Sequence, residues 1–233
     1  MNKKTSICLA VHNGGRFLAA QLNSILPQLG SQDEVIVSDD QSSDDSLQVL
    51  LSFQDARIRI LPSRVFKNPA RNFEYTLGHC KNDLIFFADQ DDLWHPQKLQ
   101  IMATALQHCD LAVCDCRLVN DKGDVLIQSF FQQNHSRVGL VKNILRNSFV
   151  GCCMGFHRRV LEKALPFPSD AWMHDQWVGL MALRHFRVHF IPQILVDHRR
   201  HDGNFSTTGG PSKNSWNKKL ISRFQLAKAV LQH

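Results

Sequence analysis

Three carboxylates stand within four positions of this chain, at Asp89, Asp91 and Asp92, directly after the apolar run of residues 84–88. Like charges this close repel one another, and none of them is buried cheaply without a partner. Mg²⁺ and Mn²⁺ take carboxylate oxygens, and Mg²⁺ often combines one or two carboxylates with substrate phosphates. The pattern therefore predicts a site for a divalent cation and a diphosphate. The other interpretation is an acidic turn after a buried strand, because Asp hydrogen-bonds its own backbone in turns.

A second pair of acids, Asp39 and Asp40, also follows an apolar run. Hydrophobic periodicity predicts strands at 6–11, 33–38, 57–61, 84–88 and 111–116, with helices at 16–29, 42–51, 72–79 and 96–107. Strands that alternate with helices through short links are typical of an α/β fold with a parallel sheet. The carboxyl ends of such strands share one edge, where open sheets bind ligands. Two acid clusters at one edge favour the ligand site over the turn.

The second half of the chain is less regular. A turn at 120–123 predicts a hairpin, and the remaining pattern predicts helices at 158–164 and 172–185, a strand at 187–191 and a polar loop at 198–210. Apolar and basic residues recur at helical spacing over 214–231. This basic amphipathic helix has two interpretations, which are packing back on the domain and contact with an anionic membrane surface.

The bulk composition is that of a globular protein, with 43% hydrophobic and 21% charged residues among 233. The formal net charge of +6 suits anionic partners such as nucleotide phosphates, nucleic acid or an anionic membrane face. The basic residues do not form a recognisable nucleic-acid motif with exposed aromatics, so we expect no nucleic-acid partner. The apolar stretch 6–11 is too short for a signal peptide, and no run reaches transmembrane length. We therefore expect a cytoplasmic protein.

The seven cysteines are odd in number and most lie in apolar segments, which predicts buried, reduced thiols. Cys114 and Cys116 are separated by one residue, and Cys152 and Cys153 are adjacent. Neither spacing is that of a zinc site, so we expect no metal at the cysteines.

The order of these features resembles the family-2 glycosyltransferases, and most closely a bacterial rhamnosyltransferase-like branch. The resemblance covers roughly residues 5–205 and is carried by seven segments: 6–14 (SICLAVHNG), 37–44 (VSDDQSSD), 72–74 (NFE), 87–99 (FADQDDLWHPQKL), 151–154 (GCCM), 174–177 (HDQW) and 198–204 (HRRHDGN). It implies the α/β fold called GT-A, with a mostly parallel central sheet flanked by helices and a C-terminal amphipathic helix. Residues 1–212 would form one catalytic domain, with a nucleotide-sugar-binding half at 1–117, an acceptor-binding half at 118–212, and the basic helix at 213–233.

The resemblance also implies a role for each matching residue. Asp175 would be the catalytic base, because an attacking hydroxyl must lose its proton. Asp89, Asp91 and His201 would hold Mg²⁺ or Mn²⁺. Acceptor contacts would come from Asp92, Cys153, Trp172 and His174. The nucleotide-sugar would contact Ala10, Val11, His12, Asn13, Asp39, Asp40, Arg71, Asn72, Asp89, Gln90 and Arg199.

Some of these positions keep simpler interpretations. Asp92 and Asp175 could each cap the helix that follows. Arg199 and Arg200 could clamp a diphosphate or lie on a solvated basic loop. The family usually has an aromatic residue where this chain has His198, so the chain departs from the pattern there.

The activity implied is an inverting transfer of a sugar from a nucleotide-diphospho-sugar, dTDP-rhamnose or a UDP-hexose, to a saccharide or lipid-linked acceptor. The setting implied is bacterial surface polysaccharide synthesis, with peripheral contact at the inner membrane face. One alternative is a nucleotidyltransferase acting on a sugar phosphate, but residues 12–16 only faintly match the glycine-rich phosphate loop of such enzymes. Another is an inactive homologue, although all four key acids are present: Asp40, Asp89, Asp91 and Asp175.

Overall fold

Strands and helices alternate through the first half of the computed structural model, which describes residues 3–168, 173–201 and 216–233. In chain order the elements are β1 (Thr5–Val11), α1 (Gly15–Ile25), β2 (Glu34–Asp39), α2 (Ser46–Ser52), β3 (Ile58–Ile60), α3 (Pro69–Leu77), β4 (Leu84–Asp89), β5 (Leu93–Trp94) and α4 (Lys98–Ala105). The second half contains β6 (Leu111–Val119), β7 (Val125–Ile127), α5 (Phe130–Asn134), α6 (Leu140–Leu145), β8 (Met154–His157), α7 (Arg158–Ala164), α8 (His174–His185), β9 (Val188–Arg199) and α9 (Trp216–Gln232).

One sheet runs through the molecule in the order β3-β2-β1-β4-β8-β6-β9-β5, with β7 paired to β6. The first four strands of this order are parallel to one another. Strand β8 is antiparallel to both of its neighbours, whereas β6 and β9 are again parallel. The predicted α/β class and the hairpin at 120–123 are therefore confirmed, and the sheet is mixed in its second half.

The core lies on both faces of β1, β2 and β4. Their apolar side chains, such as Ile7, Ile36 and Phe86, are fully buried. A near-continuous apolar run is the pattern of a parallel strand covered by helices on both faces. Helix α3 packs against β1 and β2, and α4 packs against β6 and β9.

Helix α3 begins earlier than its apolar pattern predicts. Asn68 accepts hydrogen bonds from the backbone N–H groups of Ala70 (2.9 Å) and Arg71 (3.4 Å). Pro69 occupies the first turn, where its missing N–H costs nothing. This cap brings residues 68 and 69 to the edge of the sheet where the acids lie.

Strand β9 is longer than predicted. Pro192 cannot donate a ladder hydrogen bond, so the expected strand ended at residue 191. In the structure the pairing of β9 with β6 shifts register on both sides of Asp115, where Pro192 lies. The pairing then continues to Arg199. His198 and Arg199 are thus strand residues with fixed directions, and the loop predicted at 198–210 is wrong at its beginning. Residues 202–210 lie outside the described residues.

Lys98 is fully buried at the start of α4. Its Nζ donates a hydrogen bond to the carbonyl of Cys152 (2.6 Å) and lies 3.3 Å from the centre of the Trp94 ring. Burial lowers the pKa of Lys98. The side chain therefore ties α4 to the 3₁₀ turn Gly151–Cys153, which leads into β8.

We expect Lys98→Ala to lower the free energy of unfolding by about 2–5 kcal/mol, because it opens a cavity and leaves a buried carbonyl without a donor. Urea denaturation measures this loss. Lys81→Ala, at an exposed lysine, is the control and should change stability by less than about 0.5 kcal/mol. An equal effect of the two substitutions would contradict the anchoring role of Lys98.

Candidate active site

A cavity of about 590 Å³ opens at the carboxyl ends of β1, β2 and β4. The first turn of α8 and the turn before β8 close its far side. Ten of the predicted site residues line it: Ala10, Val11, His12, Asp40, Asn72, Asp89, Gln90, Asp91, His174 and Asp175. The sheet edge where a ligand site was predicted therefore does border a cavity.

The strand register explains why the acids converge. Ala10 of β1 pairs with Asp89 of β4, and Val11 pairs with Asp39 of β2. Asp40 follows directly, and its two oxygens accept the backbone N–H groups of Phe66 (2.6 Å) and Lys67 (2.9 Å). Asp40 thus fixes the loop that carries Lys67 into the cavity wall, while its contact with base or ribose stays a prediction.

His12 and Gln90 join the ends of β1 and β4 through two reciprocal hydrogen bonds. The His12 N–H donates to Oε1 of Gln90 (2.8 Å), and Nε2 of Gln90 donates to the His12 carbonyl (3.0 Å). Gln90 packs closely on Gly14, where a Cβ would lie 2.4 Å from its Oε1. This pair of hydrogen bonds gives Gln90 a structural role between the acids on either side of it.

The acids after β4 form the part of the cavity that suits a cation. Burial, together with the neighbouring charges of Asp92 and Asp91, raises the pKa of Asp89 well above its ordinary value. Nε2 of His201 lies 2.7 Å from Oδ2 of Asp91. A divalent ion would relieve the repulsion, and two carboxylates with an imidazole are acceptable ligands for Mn²⁺. The residues present therefore fit the predicted ion.

Asp92 and His198 form a buried ion pair behind this cluster. Oδ1 of Asp92 accepts hydrogen bonds from Nδ1 of His198 (2.9 Å) and from the backbone N–H of Arg199 (2.9 Å). Burial opposes charge on both side chains, but their mutual attraction prevails: the pKa of Asp92 is lowered and that of His198 is raised. His198 lines the cavity, whereas Asp92 is not among the described lining residues. The Asp92 carboxylate therefore acts by positioning the His198 ring.

Asp175 lies in the first turn of α8 and lines the same cavity as Asp89 and Asp91. Its Oδ1 accepts the N–H of Gln176 (2.6 Å), and its Oδ2 accepts the N–H of Gly151 (3.1 Å). Burial raises the pKa of Asp175 to about 6, although these two hydrogen bonds oppose the shift. A carboxyl group that titrates close to neutral pH is suited to general-base chemistry.

His174 is held next to Asp175 by aromatic packing. Its ring stacks on Phe73 with centroids 3.8 Å apart and meets the edge of Phe87 at 4.8 Å. Burial lowers the pKa of His174 to about 3, so the imidazole is neutral. A Cβ at Gly151 would lie 2.9 Å from Nε2 of His174. Gly151 therefore donates its N–H to Asp175 and, having no side chain, leaves room for the His174 ring.

Comparison with known sequences decides the family. Residues 6–165 match the family described as Glycosyl transferase family 2. The chain belongs to this family. The resemblance stated from the sequence is thereby confirmed.

Relatives whose names state an activity include two bacterial proteins. The chain is 25% identical over 165 residues to the UDP-Glc:alpha-D-GlcNAc-diphosphoundecaprenol beta-1,3-glucosyltransferase WfgD of Escherichia coli, which covers 70% of this chain and 63% of WfgD. It is 33% identical over 99 residues to the dTDP-rhamnosyl transferase RfbG of Shigella flexneri, which covers 40% of this chain and 34% of RfbG. The chain thus spans less than two thirds of the length of these relatives.

A solved structure of similar fold is the mannosyltransferase PcManGT from Pyrobaculum calidifontis in complex with GDP-Man and Mn²⁺. The TM-score is 0.69 at 17% identity, and the match covers 99% of this chain and 65% of PcManGT. The predicted GT-A glycosyltransferase fold is confirmed.

Two arginines that were predicted to contact the nucleotide-sugar lie outside the described lining of the cavity, and their contact stays a prediction. The Arg71 guanidinium is bound by Glu74 and by the carbonyl of Pro168 (2.7 Å). Arg199 donates to the carbonyls of Asp91 (3.0 Å) and Asp121 (2.9 Å). Neither belongs to the described lining of the cavity, whereas Arg200, the next residue after Arg199, does. Adjacent residues of an extended chain point to opposite sides, which sequence spacing alone did not resolve.

Three further predicted site residues lie outside the described lining of the cavity, and a fourth lies outside the described residues. Cys153 is buried beside Cys152, with sulfur atoms 3.9 Å apart, and its acceptor contact stays a prediction. The Asp39 carboxylate accepts the Ser42 N–H (3.0 Å) and is tied into the turn after β2. Asn13 likewise accepts the Ser43 N–H (2.8 Å) outside the described lining. Trp172 lies outside the described residues.

The cavity also has lining residues that sequence reasoning missed: Lys67, Asn68, Pro69, Phe73, Val150, Gly151 and Met173. An Asn-Pro pair is typical of a helix start, and Asn68-Pro69 could have placed Lys67, Asn68 and Pro69 at this edge of the sheet. All seven cysteines are free and buried, as predicted. Within the described ranges, none of the helices combines the length and the apolar character needed to cross a bilayer.

Proposed function

We propose that this family-2 member is an inverting glycosyltransferase that uses a nucleotide-diphospho-sugar and Mg²⁺ or Mn²⁺. The observation that carries the proposal is the shared cavity of Asp175 and the acid pair Asp89 and Asp91. One wall offers a carboxylate of near-neutral pKa, and the other offers ligands for an ion that binds diphosphate. These are the two groups that a single displacement at an anomeric carbon requires.

The donor would lie along the ends of β1 and β4. Ala10, Val11 and Asn72 line the cavity, and the base and ribose would lie against them. Asp89, Asp91 and His201 would hold the ion. When bound, the ion would neutralise the charge that grows on the departing diphosphate. Arg200, which belongs to the described lining of the cavity, would pair with the diphosphate oxygens.

Asp175 would act on the acceptor. The acceptor hydroxyl attacks the anomeric carbon, the bond to the diphosphate oxygen breaks, and the hydroxyl proton passes to the Asp175 carboxylate. Attack opposite to the leaving group inverts the configuration. The N–H groups of Gly151 and Gln176 hold both oxygens of the base, so its orientation is fixed before the acceptor arrives.

The halves of the chain would divide the substrates. Residues 1–117 would bind the donor, residues 118–212 the acceptor, and residues 1–212 would form one catalytic domain. The similarity to WfgD supports a UDP-hexose and a lipid-linked acceptor, and the similarity to RfbG supports dTDP-rhamnose. Both names fit a setting in bacterial surface polysaccharide synthesis.

The test is a transfer assay. The protein is incubated with Mn²⁺, a polyprenyl-diphospho-sugar acceptor and each of UDP-glucose, UDP-N-acetylglucosamine and dTDP-rhamnose. Release of nucleoside diphosphate together with a lengthened acceptor supports the proposal. Pyrophosphate release from a nucleoside triphosphate and a sugar phosphate, without transfer, would instead indicate a nucleotidyltransferase.

The helix at 213–233 would contact an anionic membrane face. Val230 is buried against the domain, so one side of α9 does pack back. Another part of the helix surface exposes apolar residues, including Phe224 (73%) and Leu231 (67%), and Lys228 is exposed as well. An exposed apolar stripe with basic neighbours is typical of helices that lie on anionic bilayers.

We expect Phe224→Ser combined with Leu231→Ser to lower binding to phosphatidylglycerol vesicles by about ten-fold or more, since each side chain buried in lipid contributes up to about 1.5–3 kcal/mol. Co-sedimentation measures the bound fraction. Leu51→Ser is the matched control, because Leu51 is also exposed (61%) but lies on α2. Equal binding of the double variant and the wild type would contradict membrane contact.

A further inference from the structure

We propose a second cation site in this protein, selective for Zn²⁺ and similar borderline ions, formed by four side chains: Asp89, Asp92, Cys152 and His198. One ligand atom from each lies within 4.8 Å of all the others. This donor set differs from the set of Asp89, Asp91 and His201 in containing a thiol, which Mg²⁺ does not use.

The distances between the ligand atoms suit tetrahedral zinc. Nδ1 of His198 lies 3.7 Å from Sγ of Cys152 and 2.9 Å from Oδ1 of Asp92. With Zn–N of about 2.0 Å and Zn–S of about 2.3 Å, neighbouring tetrahedral ligands stand about 3.2–3.6 Å apart. These two distances are within a few tenths of an ångström of that spacing, and the remaining pairs, all within 4.8 Å, would have to contract around the ion. β4, β9 and the turn before β8 carry three of the ligands.

A buried carboxylate oxygen marks the site as incomplete without a ligand. Oδ2 of Asp92 has no hydrogen-bond partner among the residues that the structure describes. Asp92 is 1% exposed, so bulk water does not satisfy this oxygen. Unsatisfied groups at this depth are costly, and a bound cation removes part of that cost.

An ion can reach the site from the cavity. Asp89 and His198 line the cavity, and Cys152 is fully buried behind them. Nδ1 of His198 already faces Oδ1 of Asp92. Binding would use the neutral imidazole and the Cys152 thiolate, because these groups bind metals in their deprotonated forms.

The two cation sites would share Asp89. An ion held by Cys152 and His198 would draw this carboxylate away from the set completed by Asp91 and His201. If the proposed function holds, Zn²⁺ would therefore compete with the catalytic ion and inhibit sugar transfer.

Co²⁺ titration tests the site without any nucleotide or activity. A thiolate ligand gives Co²⁺ an intense near-ultraviolet charge-transfer band, which oxygen ligands do not give. We expect the band in the wild type, its saturation at one equivalent, its loss on adding Zn²⁺ and its persistence in excess Mg²⁺. The band should be absent in Cys152→Ser and retained in Cys153→Ser, the adjacent and equally buried cysteine.

No band in the wild type would overturn the proposal, and so would a band of equal strength in Cys152→Ser. Circular dichroism of both variants confirms that each is folded before the spectra are compared. Because the readout is the metal spectrum, its failure leaves the glycosyltransferase proposal untouched, and failure of the transfer assay leaves the Co²⁺ result interpretable.

Discussion

Asp175→Asn should lower the kcat of sugar transfer about 10²–10⁴-fold, the contribution of a positioned general base. Asparagine keeps an oxygen for the Gly151 N–H but cannot take the acceptor proton. In the proposed function the donor would lie mainly against the ends of β1 and β4, so its KM should change little. Steady-state release of nucleoside diphosphate at saturating acceptor measures both constants.

The dependence of kcat on pH distinguishes the loss of a general base from a general disturbance of the fold. Because burial raises the pKa of Asp175 to about 6, the carboxylate form predominates above that pH and the protonated form below it. In the wild type kcat should therefore fall as the pH is lowered through about 6 and be level above it. Asp175→Asn should lose this acid limb. A variant that keeps wild-type activity and the same limb would exclude Asp175 as the base.

Gly151→Ala should lower kcat about 10²-fold, although residue 151 contributes only a backbone N–H to the site. The new methyl group would lie 2.9 Å from Nε2 of His174 and 3.6 Å from Cβ of Asp175. The His174 ring is stacked on Phe73 and cannot retreat, so the base is displaced. Misplacement of a catalytic group by about 1 Å typically costs about 10²-fold.

Gly30→Ala is the matched control for this substitution. A Cβ at Gly30 would meet its nearest neighbour, Oδ2 of Asp33, at an ordinary 3.5 Å. We expect Gly30→Ala to leave kcat and donor KM unchanged, and Gly151→Ala to lower kcat with donor KM unchanged. If Gly151→Ala alters donor KM and leaves kcat intact, the close approach to His174 and Asp175 does not govern catalysis.

The sequence predicted those parts of the fold that repeat a local pattern. β1, β2 and β4 are continuous apolar runs, so their positions and the acids at their ends followed from periodicity. Helix α7 was predicted with its observed bounds, 158–164. Parallel strands bring their carboxyl ends to one edge, which is why ten predicted residues meet in one cavity.

The features that could not be predicted from the sequence depend on strand pairing between distant parts of the chain. β5 and β8 are only two and four residues long and exist because β9, β4 and β6 pair with them. The directions of Arg199 and Arg200 follow from a register shift at Pro192. The donor set of the proposed zinc site joins residues 89, 92, 152 and 198, a spacing that no cysteine pattern reveals.

A thermal-shift measurement with nucleoside diphosphates addresses the proposed donor site directly. UDP, dTDP and GDP are each added with and without Mn²⁺ or Mg²⁺ to the wild type and to Asp91→Ala, because a ligand that binds only the native state raises Tm. The cavity geometry predicts that one nucleotide raises Tm only with the ion present, and that Asp91→Ala abolishes the rise. No shift across the panel, or a shift independent of both the ion and Asp91, would contradict it.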